Sequence, residues 1–221
     1  MVNSNSLICR DIRRAYQTDG DLVWALWDVD IDASPGEITV LAGPSGSGKS
    51  TLLRVMAGID RPDQGSVEIA GSNIVEMSAG QRRKFRKKHI GFVFQDPAAN
   101  LLGYMTVVDH LKLAARTRHT SVDLTLLDHL EIPELADELP SHLSAGQQQR
   151  VALAAAVTGN PDVVLADEPT AELDTQSAGL AVEALTRLRD LGTTLVVTSH
   201  DPEVVDVADR VIRIEHGSVK E

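Results

Sequence analysis

The run Ile38-Thr39-Val40-Leu41-Ala42 leads directly into Gly43-Pro44-Ser45-Gly46-Ser47-Gly48-Lys49-Ser50, and a helical pattern carried by Leu52, Leu53, Val55 and Met56 follows at once. A short apolar strand, a full G-x-x-x-x-G-K-S loop and a helix in that order make a phosphate-binding loop. No other stretch constrains the fold as strongly, because the loop works at the carboxyl edge of an open α/β sheet with a helix starting behind it. Gly43, Gly46 and Gly48 let the backbone come close to phosphate oxygens and turn successive N–H groups toward them. Lys49 then reaches the β- and γ-phosphates, and the Ser50 hydroxyl ligates Mg²⁺. Pro44, Ser45, Ser47 and Thr51 complete the set expected around the phosphates of a nucleotide. A Gly/Ser-rich turn that binds nothing would explain the composition but not the strand before and the helix after.

A second apolar run, Val163-Val164-Leu165-Ala166, ends in Asp167-Glu168. Four apolar positions followed by two carboxylates place the pair at the carboxyl end of another strand, on the sheet edge that binds ligands. Strands often end in carboxylates. Beside a phosphate loop the pair suits phosphoryl transfer, which needs groups that position the reactants and neutralise charge. Gln95 closes Gly91-Phe92-Val93-Phe94-Gln95, and His200 stands in Thr198-Ser199-His200-Asp201-Pro202 just past another apolar strand. Taken alone, Gln95 reads as a cap and His200 as a structural histidine.

The rest of the chain fits the same class. Val23, Ala25, Trp27, Val29 and Ile31 alternate with Trp24, Leu26, Asp28, Asp30 and Asp32, a period of two that predicts a strand with one buried face. Residues 66–70 and 90–94 read as strands, and Gln81 to Lys88 as a helix with six basic side chains. From about Pro97 to Asn160 the pattern is helical, and afterwards strand and helix alternate, which implies parallel strands with crossover helices. At 221 residues the chain is one domain with an embedded subdomain. Its net charge of -11 argues against a nucleic-acid backbone as the main ligand. The single cysteine, Cys9, excludes an internal disulfide and suits a reducing compartment. No apolar run approaches the ~20 residues that span a bilayer. Met1 to Ser6 lacks the features of a signal peptide, and the short tail after Gly217 leaves no room for a regulatory domain, so a cytosolic protein is expected.

Between the two strand-end motifs lies Leu143-Ser144-Ala145-Gly146-Gln147-Gln148-Gln149-Arg150. A phosphate loop, this segment and the Asp167-Glu168 strand, in that order, resemble the ATP-binding cassette (ABC) family over nearly the whole chain, from about Leu7 to Val219. The resemblance implies an α/β P-loop NTPase with a RecA-like parallel-sheet core, an antiparallel β subdomain and an inserted helical subdomain. Residues 1–96 and 161–221 would form the core with the β subdomain, and residues 97–160 the helical subdomain. It implies an ATPase with ATP and Mg²⁺ as cofactors. Asp167 would hold Mg²⁺, Glu168 would polarise the attacking water, His200 would contact the γ-phosphate, and Gln95 would bind Mg²⁺ and sense the γ-phosphate. Adenine would stack on Tyr16, in the loop after the first strand, with Trp24 and Trp27 as competitors. Two copies would pair head-to-tail, so that Ser144, Ala145, Gly146 and Gln147, with Asp174 of Ala171-Glu172-Leu173-Asp174, meet the ATP of the opposite subunit. Ala145 stands where the family commonly has glycine, and Ala171-Glu172 where it commonly has Ser-Ala.

Residues 58–65 and 86–95 look like the lipoprotein-release and macrolide-export branch of bacterial cassettes. That branch implies a membrane permease docking near Gln95 to Met105 and a place on the cytoplasmic face of the cell membrane. Two other readings remain: a soluble cassette ATPase of DNA repair or translation, and a division-type regulator that moves no solute. Against the first, the chain lacks a coiled-coil insert and a second cassette, and no nucleic-acid partner is expected. The basic run Arg82, Arg83, Lys84, Arg86, Lys87 and Lys88 would meet lipid head groups, a permease loop or nucleic acid, or is a solvated helix face.

Overall fold

The structure is a computed structural model that describes residues 6–18 and 20–220. The targeting-signal reading of residues 1–5 lies outside the described residues. The chain lays down β1 (Leu7–Thr18), β2 (Asp21–Ala33), β3 (Ile38–Ala42), α1 (Lys49–Met56), β4 (Gln64–Ile69), β5 (Ser72–Asn73), α2 (Ala79–His89) and β6 (Ile90–Val93). Helices α3 (Val107–Arg118), α4 (Thr125–His129) and α5 (Ala145–Val157) follow, with three short 3-10 turns between β6 and α5. The chain then completes β7 (Val163–Asp167), α6 (Thr175–Asp190), β8 (Leu195–Ser199), α7 (Pro202–Asp206), β9 (Arg210–Glu215) and β10 (Ser218–Lys220).

Two sheets result. One has the order β2-β1-β4-β5 and is antiparallel; the other runs β10-β9-β3-β8-β7-β6 and is parallel except at the β10 edge. The central parallel strands are buried on both faces, as crossover helices require, so they read as unbroken apolar runs rather than as alternation. Ile38, Val40, Ala42, Val164, Ala166, Leu195 and Val197 face the helices α3, α5 and α6. Leu41, Val163, Leu165 and Val196 face α1 and the antiparallel sheet.

The alternation expected of β2 changes phase partway along the strand. Leu26, Val29, Ile31 and Ala33 are buried, while Trp27 is 42% exposed. Ile12 pairs with Val29 and Arg14 with Leu26, so two steps along β1 match three along β2. The extra residue forms a bulge at Asp28, whose φ of 49° lies in the left-handed region. An inserted residue moves every later side chain to the other face, which sends Leu26 inward and Trp27 outward. The Arg13 guanidinium covers Trp27, 4.4 Å from the ring centre.

Cys9 lies fully buried on β1, and burial pushes its thiol far above the usual cysteine range. Only the thiolate is alkylated readily. At pH 8 the folded protein should therefore react with iodoacetamide at least ~10²-fold more slowly than the same protein in urea. Equal rates, followed by mass spectrometry, would show that β1 opens on the timescale of the reaction.

Candidate active site

Four strand ends of the parallel sheet converge on the phosphate loop. β3 feeds Gly43 to Gly48, and α1 begins at Lys49. Gly48 adopts φ 102°, and a Cβ there would lie 2.5 Å from the Ala25 carbonyl oxygen on β2, so only glycine fits the turn. β7 delivers Asp167 and Glu168, β8 delivers Thr198 to His200, and the residues after β6 deliver Gln95. The cavity among them, about 290 Å³, is lined by Ala25, Ser45, Gly46, Lys49, Ser50, Gln95, Glu168 and His200, together with Gly48, Thr51 and Ala171.

The side chains form one connected network. Ser50 donates its hydroxyl to Asp167 Oδ1 at 2.9 Å, and Thr198 donates to the same oxygen at 2.6 Å. The Thr198 hydroxyl also accepts from the Glu168 backbone N–H at 2.9 Å, and that N–H further reaches the Thr198 carbonyl at 3.1 Å. This double hold matters because Glu168 has φ 44°, a left-handed backbone that costs a non-glycine residue about 1 kcal/mol or more. The strained turn aims its carboxylate at Lys49 Nζ, 3.2 Å away, and at His200 Nδ1, 2.9 Å away. Lys49 Nζ also donates to the Gly43 and Pro44 carbonyls at 2.8 and 3.1 Å. The ammonium is nearly buried, with its donors spent on the loop and the carboxylate.

The remaining candidates divide into two groups. Gln95 lines the same cavity, and its amide reaches Glu172 Oε1 at 3.5 Å. Tyr16 does not line it. It lies within β1 rather than in a loop after it, opposite Val23, with its phenol donated to Asp60 Oδ2 at 3.1 Å and Arg14 over its ring at 4.7 Å. Trp24 and Trp27 pack edge to face at 4.8 Å and lie outside the cavity too. Ser144, Ala145, Gly146 and Gln147 form the first turn of α5, where Ser144 and Gln147 make a reciprocal capping box. Asp174 caps α6, accepting from the Ser177 backbone N–H at 3.0 Å and from its hydroxyl at 2.7 Å; this hydrogen bonding lowers the Asp174 pKa. The two caps meet, because a Cβ on Gly146 would come within 2.6 Å of Ser177 Cβ. Gly146→Ala should therefore lower stability by about 1–3 kcal/mol through overpacking, measured by denaturant melts. An unchanged midpoint would mean that the two helix ends separate freely. Ala145 is exposed and has no strained backbone, so its methyl fits without adjustment.

Nothing in the sequence singles out Thr198, yet its hydroxyl donates to the Asp167 carboxylate and accepts from the Glu168 backbone N–H. The signal is a matter of register: β7 and β8 are parallel neighbours, and Asp167 pairs with Thr198.

The family model described as ABC transporter matches residues 26–171. The chain belongs to the ABC transporter family. It is 35% identical over 216 residues to the macrolide export ATP-binding/permease protein MacB of Escherichia coli, covering 95% of this chain and 33% of that protein. To MacB of Rhodopseudomonas palustris it is 37% identical over 221 residues, covering 97% and 33%. The cassette thus spans about a third of the length of the curated relatives it matches. Among solved structures, a dimeric ATP-binding cassette in a post-hydrolysis state with ADP and inorganic phosphate matches with TM-score 0.86 and 31% identity, over 97% of both chains. CbiO1 of Clostridium perfringens, part of the ABC transporter complex CbiONQ, matches with TM-score 0.85 and 29% identity, over 99% of this chain and 88% of that one. The ABC fold and ATP hydrolysis follow for this cassette. Its site suits both ligands of such an ATPase. The buried Ser47 hydroxyl has no partner in the loop cradle. Ser50, Asp167 and Gln95 present the oxygen donors that a hard divalent cation prefers.

Proposed function

We propose that this cassette powers a membrane permease of the release or export type, as a head-to-tail dimer closed by ATP at the cytoplasmic face of the membrane. The carrying observation is the division of the motif residues. The first turn of α5 is a helix N-terminus, the kind of end that suits an anion, yet it lines no part of the chain's own phosphate-loop cavity. In the dimer, Ser144, Ala145, Gly146 and Gln147 with Asp174 would face the ATP of the other subunit, and the two sites would be equivalent under a two-fold axis.

The reaction follows from the network. The ATP phosphates replace the Gly43 and Pro44 carbonyls and the Glu168 carboxylate as partners of Lys49. Glu168, released from that ion pair, accepts the proton of the attacking water, while His200 contacts the γ-phosphate. Water adds to the γ-phosphorus, the bond to the β-phosphate oxygen breaks, and ADP and phosphate leave. Ser50, Asp167 and Gln95 would hold Mg²⁺, which would supply positive charge to offset the charge of the phosphates. Tyr16 reaches adenine only after Arg14 leaves its ring, and it is proposed here as the base-stacking residue on that condition.

Support for a permease partner comes from the stretch Gln95 to Met105. Asn100 locks its turn by accepting from the Phe94 N–H at 2.7 Å and donating to the Phe94 and Asp96 carbonyls at 3.1 Å. The locked turn leaves Phe94, Leu102 and Tyr104 outward, with Tyr104 80% exposed. A pull-down of this cassette from its native membranes in mild detergent should bring a permease of few helices with a large extracytoplasmic part. A many-helix permease with a substrate-binding protein, or ATPase activity stimulated by DNA, would overturn the assignment.

A further inference from the structure

α2 carries six cations, and packing accounts for two. Arg82 donates to the Gly58 and Met77 carbonyls at 3.1 and 3.2 Å, and Arg86 donates to Gly58 at 3.0 Å, so both close the end of α1. Lys84, Lys87 and Lys88 form no ion pair among the described residues, and neither does Arg116 on α3. These four line an open cavity of about 710 Å³ together with Thr117, Arg118 and His119, and no carboxylate lines it. Arg118 forms its floor. It donates to the Ala155, Thr158 and Ile90 carbonyls and so ties α3 to α5 and β6. Burial pulls the Arg118 pKa down to about 10 with no carboxylate to offset it, and Arg86 is lowered by burial and by its like-charged neighbours Arg82 and Arg83.

Basic residues in a last helical turn ordinarily offset the partial negative charge of the helix end, which amounts to about half an elementary charge. Here two helix ends converge with five cations around one cavity, in a chain whose net charge is -11. That is more positive charge than two helix ends require.

We infer that this cavity seats the phosphate of an anionic membrane lipid and holds the cassette against the bilayer surface. The inference rests on the reading that the cassette serves a membrane permease. Lys87, Thr117 and Arg118 also line an adjoining groove with Phe94 and Asn100, so the cavity opens beside the stretch assigned to the permease. Leu113, 44% exposed, lies one helical turn before Arg116 and Thr117 and adds apolar surface next to the cations. An interfacial surface combines these two features. The acidic remainder of the molecule opposes binding to an extended polyanion.

The test is flotation of the full chain with vesicles, one set zwitterionic and one containing anionic phospholipid, at about 0.1 M salt. Each cation near an anionic leaflet is worth about fivefold in partition. The variant K84Q/K87Q/K88Q/R116Q changes four exposed side chains and leaves Arg86 and Arg118 in place. It should lose vesicle binding by ~10²-fold or more while keeping its ATPase rate. Binding should be confined to anionic vesicles and fall sharply in 0.5 M salt. Wild-type protein that fails to float, binds zwitterionic vesicles equally, or keeps its affinity in the variant overturns the proposal. Displacement from vesicles by millimolar pyrophosphate, with saturable pyrophosphate binding in calorimetry, would mark a site for free phosphates and overturn it as well. If the variant instead loses its co-purifying permease and wild-type never floats, the partner is acidic protein. A pull-down that yields no permease, with flotation intact, would remove the transporter reading and keep the lipid site.

Discussion

Glu168→Gln is expected to bind ATP and accumulate as a stable ATP-bound dimer while hydrolysis falls at least ~10²-fold, the loss typical of a missing general base. The amide keeps the shape of the carboxylate and can still meet His200, now at 2.9 Å from Oε2, but it cannot accept the proton of water. The substitution also removes the ion pair to Lys49. That ammonium keeps the Gly43 and Pro44 carbonyls as partners, so the loop should remain folded. Phosphate release and size-exclusion chromatography with and without ATP read the two halves of the prediction separately. Turnover close to wild type would remove Glu168 from its assigned part. Loss of ATP binding would instead show that the pair with Lys49 shapes the loop.

Ser144→Arg should abolish hydrolysis to a similar degree, ~10²-fold or more, which is the scale of a lost electrostatic contact in a reacting site. ATP affinity of the isolated monomer should stay within about threefold, because Ser144 lies outside its own cavity. Loss of the helix cap adds a stability cost of about 1 kcal/mol, which a melting curve measures independently. A variant that can no longer bind ATP as a monomer would place Ser144 in the chain's own site and end the head-to-tail assignment. A variant that still forms the ATP-dependent dimer at full strength would do the same from the other side.

Much of this site is legible in the sequence because phosphate chemistry is read from contiguous residues. The loop from Gly43 to Ser50 is one segment, and Asp167-Glu168, Gln95 and His200 each end an apolar run, so the strand ends place them on one edge without any knowledge of pairing. The missing parts depend on contacts between distant segments. Thr198 becomes a clamp only because β8 lies beside β7 in a particular register. The fit of Gly146 against Ser177 requires α5 and α6 to meet at their first turns, and the link from Gln95 to Glu172 joins residues on different strands' loops. The bulge at Asp28 is a mismatch between two strands, so the alternation within β2 alone predicts the wrong inward face at Trp27. Tyr16 illustrates the same limit: its residue type suits adenine, but its place within β1 comes from pairing with Val23, and its bond to Asp60 joins it to a distant loop.

Val107, Leu111, Leu127, Ile132 and Val151, from the stretch between β6 and β7, occupy one buried cluster with Val40, Ala42, Val164 and Val197 of the parallel sheet. Interiors packed to crystal-like density tolerate little change in volume. The consequence concerns exchange of parts. Transplanting that stretch onto another sheet would set apolar side chains shaped for one surface against a different one, so sheet and stretch have to be moved together.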